Sequence, residues 1–268
     1  MTGFLLLLLI GAVSATFGSI VGLGGGIIIV PALLYIAPIF LDRDITTATA
    51  VGTSLTVLIF TALSSTLTFM KEKKVDFRSG WLYFVTSGPA AMIGASLTGQ
   101  FAPRPFELSF GIFMLFMAGL LMLRSRLKPS AIDWRIKRTF TDAKGEEHRY
   151  GYNIPSALAV GFAVGFISGL FGIGGGSLFV PVMVLLFRYP PHVATATSMF
   201  VIFLSSILGS ITHGYHGEID VYSAIALAPG AWLGGWLGAR IVRRMSGGAL
   251  LWVLRLTLIA LAIRMIWG

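Results

Sequence analysis

Cysteine is missing altogether, which removes disulfides, thiolate metal sites and cysteine nucleophiles from consideration. No redox compartment follows from that absence. Charge is scarce as well. Asp, Glu, Lys and Arg make up 12% of the 268 residues, where a soluble domain carries roughly a quarter. Against 56% hydrophobic residues and a mean hydropathy of +0.86, too little polar side chain is left to wet a globule. The solvent this sequence expects is lipid.

Acid is the scarcer sign, with 11 Asp and Glu against 20 Lys and Arg. Apart from residues near segment ends, no carboxylate lies deep in an apolar stretch. Proton-coupled carriers usually place one there, and a fixed anion along a pathway would repel an anionic cargo. The basic excess sits in short clusters between apolar runs, where membrane orientation explains it better than nucleic-acid binding. The apolar run Phe4 to Ile10 could serve as a signal-peptide core, yet no Lys or Arg precedes it. It also heads a segment that recurs, so it is read as a retained span.

What is present is a set of long apolar stretches, at about 4–37, 45–70, 80–101, 106–123, 154–187, 193–212, 221–239 and 249–267. Most match the ~20 residues that cross the hydrocarbon core. The stretches 4–37 and 154–187 are too long for one span and are interrupted by glycines, so each reads as two shorter helical pieces. This predicts an all-α polytopic membrane protein with eight apolar stretches forming about ten helical segments. The hydrophilic segment 124–153, with its mixed charge, reads as a connecting loop between repeat 1 (1–123) and repeat 2 (154–268).

The two halves are related. Gly22-Leu-Gly-Gly-Gly-Ile-Ile-Ile-Val-Pro31 aligns with Gly172-Ile-Gly-Gly-Gly-Ser-Leu-Phe-Val-Pro181, six of ten positions being identical. Thr53-Ser54 then matches Thr197-Ser198, Asp76 matches Asp220, and Pro89–Gly94 matches Pro229–Gly234. The order is kept while the offset drifts from 150 to 144 to 140, as loops of unequal length produce.

Charge bias orients the halves. If each long stretch crosses once, the repeats are parallel and basic residues, leaving out Arg255 and Arg264 within the last helix, divide twelve inside to six outside. If each crosses twice or dips back, the second half is inverted and the division becomes sixteen to two, with only Arg43 and Arg104 outside. Lys and Arg in short loops set orientation, so inverted repeats are expected, as in many secondary transporters. That places the protein in the cell's inner membrane, with 124–153 cytoplasmic and both termini outside.

The duplicated glycine motif carries the chemistry. Three consecutive glycines do not hold a helix, and lipid tolerates no unpaired backbone, so each break must be enclosed or line a cavity. A helix restarting near Ile27 or Ser177 presents N–H groups without intrahelical partners at its positive end, a setting suited to an oxyanion. The alternative is that the glycines serve close helix packing, which better explains Gly161, Gly165 and Gly169, or Gly230, Gly234 and Gly238.

At these motifs, Gly22–Pro31 and Gly172–Pro181, the sequence resembles the sulfite exporter TauE/SafE family, also called toluene sulfonate uptake permeases. The length, the repeat and the central polar segment extend the likeness over essentially the whole chain. The resemblance implies transport of sulfur-containing or other small organic anions.

The candidate substrate-binding residues are therefore Gly24, Gly25, Gly26 and Ile27, with Gly174, Gly175, Gly176 and Ser177. The matched hydroxyls Thr53, Ser54, Thr197 and Ser198 join them, because hydroxyls hold an anion without permanent charge. They stand in hydroxyl-rich openings, Thr46 to Thr56 and Thr195 to Ser198, and could instead bond to an i−4 carbonyl or a neighbouring helix. Asp76 and Asp220 each precede an apolar stretch and suit N-caps. His213 and His216, near Glu218, read as a wetted or interfacial pair lacking a matched partner in the first half.

The expected function is secondary transport of a small anion by alternating access, as an exporter. No cofactor, metal or nucleic acid is expected. The partners are the anion and the bilayer, and a homo-oligomer is compatible with the sequence. A proton- or sodium-coupled uptake permease would use the same fold. A membrane enzyme would want converging His or carboxylate groups inside the spans, and a scaffold would have no use for paired helix breaks.

Overall fold

The computed structural model describes residues 2–41, 45–123, 134–141 and 147–267. The first long stretch divides into α1 (Thr2–Val21), α2 (Gly26–Tyr35) and the short α3 (Ala37–Leu41). α4 (Thr47–Lys71), α5 (Phe77–Thr98) and α6 (Pro103–Leu123) complete the first half. In the second half α7 (Ile154–Phe171) and α8 (Gly176–Leu185) flank the other break. α9 (Pro191–Tyr215), α10 (Val221–Val242) and α11 (Gly247–Trp267) follow. By length and composition, α1, α4, α7, α9 and α10 are each long and apolar enough to cross a membrane.

Helix starts follow local chemistry. The Asp76 carboxylate accepts the Ser79 N–H, and the Asp220 carboxylate accepts the Ser223 N–H. Both are N-caps. Asn153 and Ser156 form a capping box at the start of α7.

The halves interlock crosswise. α1 lies against α10, where a methyl group on Gly230, Gly234 or Gly238 would collide with the backbone of Leu8, Ala12 or Thr16. α7 lies against α5 in the matching way, Gly161, Gly165 and Gly169 touching the backbone of Tyr83, Ser87 and Ala91. These stripes bring backbones together, the use expected of small residues in lipid. At the centre α4 and α9 run antiparallel, Gly52 facing His213 while Thr56 Oγ1 and Ser210 Oγ share a 2.7 Å hydrogen bond.

The connecting segment differs from its reading as a loop. Ile136–Thr141 (β1) and Glu147–Tyr152 (β2) form an antiparallel hairpin, with Ile136 opposite Tyr152 and Arg138 opposite Tyr150. Exposure alternates along β1, the period of a half-buried strand. Trp134, Tyr150 and Tyr152 are buried. Tyr150 packs on Tyr189 at 4.1 Å between ring centroids with the rings tilted by 40°, and Trp134 meets Phe187 edge-on at 5.3 Å. The Gly151 N–H donates to the Phe187 carbonyl at 3.1 Å. Aromatic anchoring, invisible in a count of charges, turns a polar linker into a docked hairpin.

Candidate functional site

Each helix break is built by three glycines in the left-handed region. Gly22, Gly24 and Gly25 have φ of 79°, 79° and 98°, and Gly172, Gly174 and Gly175 have 68°, 74° and 68°. A side chain at any of them would be strained. The repeat seen in letters is thus a repeat of backbone conformation. Gly25 and Gly175 cap α2 and α8 without a side chain, so no side-chain oxygen takes up the first amides of those helices. Among the described residues, the N–H groups of Gly25, Gly26, Ile27, Gly174 and Gly175 have no hydrogen-bond partner.

The breaks touch each other. A methyl on Gly26 would collide with the Gly172 carbonyl and approach Ser54 Oγ to 3.0 Å. Gly24 and Gly174 both press on Leu58 and Ile202, residues related by the 144-residue offset that relates Thr53 to Thr197. Gly24, Gly25, Gly26, Ile27, Gly174 and Gly175 are all buried. Gly176 begins α8, and the Ser177 side chain lies outside the described residues.

The matched hydroxyls reach across the halves. Ser54 Oγ donates to the Gly172 carbonyl at 2.8 Å, and Ser198 Oγ donates to the Gly22 carbonyl at 3.1 Å. Thr53 Oγ1 accepts the Asp220 N–H at 2.9 Å, and Thr197 Oγ1 accepts the Asp76 N–H at 3.0 Å. All four residues are fully buried. Ser54 and Ser198 therefore belong to the breaks, whereas Thr53 and Thr197 secure the starts of α10 and α5.

Two cavities, one at each mouth, lie at the starts of α9 and α4. One, of about 150 Å³, is lined by Lys73, Lys74, Asp76, Arg138, Tyr150 and Val193, where α9 begins. The other, of about 580 Å³, includes Tyr35, Thr46, Thr47, Thr98, Glu107 and Glu218 in its wall, where α4 begins. The void beside the first break, walled by Gly18, Leu23, Gly25 and Ile27, is only about 10 Å³. In this conformation the breaks are closed on one another.

The Lys73 mouth is braced by the hairpin. Arg138 Nε lies 3.1 Å from Asp76 Oδ2, and the Tyr150 hydroxyl donates to the same oxygen at 3.1 Å. Ser79 Oγ bonds to Asp76 and to the Tyr152 hydroxyl. Burial pushes the Tyr150 phenol well above its ordinary range, and the neighbouring Asp76 charge adds to the rise. Burial alone would lower the Arg138 pKa, but the Asp76 charge together with the Tyr150 and Tyr152 hydroxyls outweighs it, and the guanidinium is held more firmly charged.

Sequence reasoning omitted Gly22, Gly172, Leu58 and Ile202 from the site, although the first two head the motifs and the others obey the repeat offset. It also missed Arg138 and Tyr150, for which a strand-like alternation was the available signal. His213 departs from its reading as wetted: it is fully buried, while His216 is exposed.

The family model for "Sulfite exporter TauE/SafE" matches residues 7–265. The chain belongs to the sulfite exporter TauE/SafE family. It is 47% identical over 266 residues to the "Probable membrane transporter protein YunE" of Bacillus subtilis, covering 98% of this chain and 97% of that one. It is 28% identical over 251 residues to a "Probable membrane transporter protein" of Xylella fastidiosa, covering 92% and 89%. No solved structure matches it. As a TauE/SafE member with apolar helices of spanning length, the chain is a membrane transporter. In this family member, then, the paired breaks stand at the centre of a protein that moves solutes across a bilayer.

Proposed function

We propose that this transporter exports a small anion, a sulfur oxyanion, an organosulfonate or a carboxylate, by alternating access around the two glycine breaks. The observation that carries the reading is the set of buried, unpartnered N–H groups at Gly25, Gly26, Ile27, Gly174 and Gly175. Each such donor left unpaired costs about 1–3 kcal/mol. An oxyanion seated among them, at the positive ends of α2 and α8, recovers that cost.

An inverted repeat is the arrangement we infer, because α4 and α9 carry matched residues yet lie antiparallel. Under a two-fold axis between them, each face acquires a two-bond latch. Ser54–Gly172 and Thr53–Asp220 close the Glu218 face; Ser198–Gly22 and Thr197–Asp76 close the Lys73 face. Releasing one latch while the other holds gives access to one side at a time.

Charge supports an outward direction. One mouth carries Lys73, Lys74 and Arg138 against Glu72 and Asp76, a basic balance that attracts anions, whereas the other carries Glu107 and Glu218 against Arg104, a balance that discourages their return. We take the basic mouth as cytoplasmic, which puts the hairpin inside and both termini outside an inner membrane. With a negative cell interior, each exported charge gains ~2.3 kcal/mol per 100 mV, so no coupling ion is required.

Purified protein in liposomes loaded with labelled methanesulfonate tests this. Efflux should accelerate when the potential favours anion exit. Efflux indifferent to an imposed potential contradicts electrogenic export.

A further inference from the structure

At the Glu218 mouth a histidine is buried that the transport scheme does not use. His213, in the last turn of α9, is 0% exposed, and its Nδ1 lies 2.7 Å from Glu218 Oε2. Its Nε2 is buried beside the Gly169 backbone and makes no hydrogen bond of normal geometry. With Nδ1–H donating to the carboxylate, Nε2 keeps an unshared lone pair, the place where a proton adds.

The repeat shows that this pair is an addition to the turn and not a requirement of it. Under the 144-residue offset His213 corresponds to Phe69 and Glu218 to Lys74. The turns are the same: the Lys74 N–H donates to the Phe69 carbonyl at 3.2 Å, and the Glu218 N–H to the His213 carbonyl at 2.9 Å. Lys73 and Gly217 hold the matching left-handed position, with φ of 55° and 72°. One backbone device therefore carries an apolar ring and a cation on one face, and an imidazole and a carboxylate on the other.

We propose that His213 and Glu218 form a proton-binding site that sets the charge of the Glu218 mouth, so that anion handling responds to pH on that face alone. The proton comes from water in the mouth, which Glu218 lines. It adds to the imidazole without bond cleavage, and the pair passes from a net charge of −1 to zero. Among the described residues, the elements packed on the pair bring it no cation: α4 contributes Gly52, α7 contributes Gly169, and the end of α5 brings Gly99 to the carboxylate, while across the mouth Arg104 is taken up by Glu107 at 3.4 Å. The other titratable groups there are His216, Asp220 and, across the mouth, Glu107. An unperturbed histidine titrates in the physiological range.

The pair also touches the latch. Gly52 packs on His213 and on the Glu218 backbone, and the next residue, Thr53, accepts the Asp220 N–H. Protonation thus alters charge where the outer latch is made. The proposal rests on the anion-transport reading for its consequence, though not for the proton site itself.

Two measurements on the full-length protein separate these. Exchange of the imidazole C2 hydrogen, read by mass spectrometry, should show His213 titrating between pH 4.5 and 8.5, with a lower midpoint in Glu218→Gln. A histidine that does not titrate in that window, or whose midpoint ignores Glu218→Gln, overturns the site. In liposomes, methanesulfonate stays ionised throughout, so its pH dependence belongs to the protein. Acidifying the Glu218 side should lower the KM at that face by about fourfold, the effect of one charge ~10 Å away in a partly wet mouth. His213→Phe, which copies the first half, should abolish that dependence. A dependence that survives in His213→Phe overturns the proposal. If methanesulfonate is not moved by any variant while His213 still titrates with Glu218, the transport reading fails and the proton site stands.

Discussion

Ser54 of the first half donates its hydroxyl to the carbonyl of Gly172 in the second, at 2.8 Å. The reciprocal bond runs from Ser198 to Gly22 at 3.1 Å. Each break is therefore held shut by a helix of the other repeat. A glycine-rich break has little to stabilise it locally, since glycine loses the most backbone freedom on ordering. The restraint comes from across the repeat interface, so loosening the interface and opening the break are one event.

The latches should act on opposite faces. Ser54→Ala should favour opening at the Glu218 mouth, and Ser198→Ala at the Lys73 mouth. One hydrogen bond is worth about 1 kcal/mol net, a shift of about fivefold in the ratio of the two states. The chain has no native cysteine, so a single cysteine at Ala48 or Val193 reports each mouth by its labelling rate. Ser54→Ala should speed labelling at Ala48 and leave Val193 unchanged or slower. Equal acceleration at both positions contradicts separate latches.

Contact between the breaks makes Gly26 intolerant. Gly26→Ala places a methyl against the Gly172 carbonyl and Ser54, and backbone on both sides leaves little room to adjust. Destabilisation of about 1–3 kcal/mol is expected from such overpacking, read as a lowered melting temperature, with transport lost even below it. Gly217→Ala is the control for left-handed strain alone, because φ there is 72° with open space around it. It should lose stability and keep transport.

Asp76 and Asp220 hold the same N-cap position, but only Asp76 also receives Arg138 and Tyr150. Asp76→Ala should therefore cost more than the ~1 kcal/mol of a lost cap, and should free the hairpin. Backbone hydrogen exchange over 136–141 and 147–152 should quicken in Asp76→Ala and stay slow in Asp220→Ala. Similar exchange in the two variants would show that the hairpin docks through its aromatic residues alone.

Alkali should release the hairpin too. The Tyr150 phenol titrates above its ordinary range, chiefly because it is buried and secondarily because Asp76 is near. The folded state prefers the neutral phenol, so its stabilisation is complete below the unfolded value of ~10 and is lost as pH climbs toward the folded one. Tyrosinate absorbance should show one fewer late-titrating group in Tyr150→Phe than in wild type, where buried Tyr189 also titrates late. Loss of a late group only on changing another tyrosine would place the docking charge elsewhere.

The legible part of this molecule was whatever repeats. Glycines at matched positions announced two breaks, and the shared Thr-Ser pairs announced a common role. Their partners were hidden, because periodicity says which face a residue occupies and not whose carbonyl waits there. Ser54 could have bonded back to its own helix, as Thr56 does to Gly52 at 2.9 Å. His213 was misread for want of a histidine in the first half. Its true counterpart, the buried Phe69, indicates a core position and explains why an imidazole there is dry. The hairpin was hidden by charge: Lys137 and Arg138 mask a strand whose anchors are Trp134, Tyr150 and Tyr152.

The claim beneath all of this is that backbone amides at the breaks hold the anion. A structure determined with a selenium oxyanion such as selenate, located by its anomalous scattering, tests that directly. A peak is expected within hydrogen-bond reach of the Gly26 or Ile27 N–H, or of the matching amides at Gly176 and Ser177. A peak confined to Lys73 and Arg138 at the mouth, with none between the breaks, would contradict it.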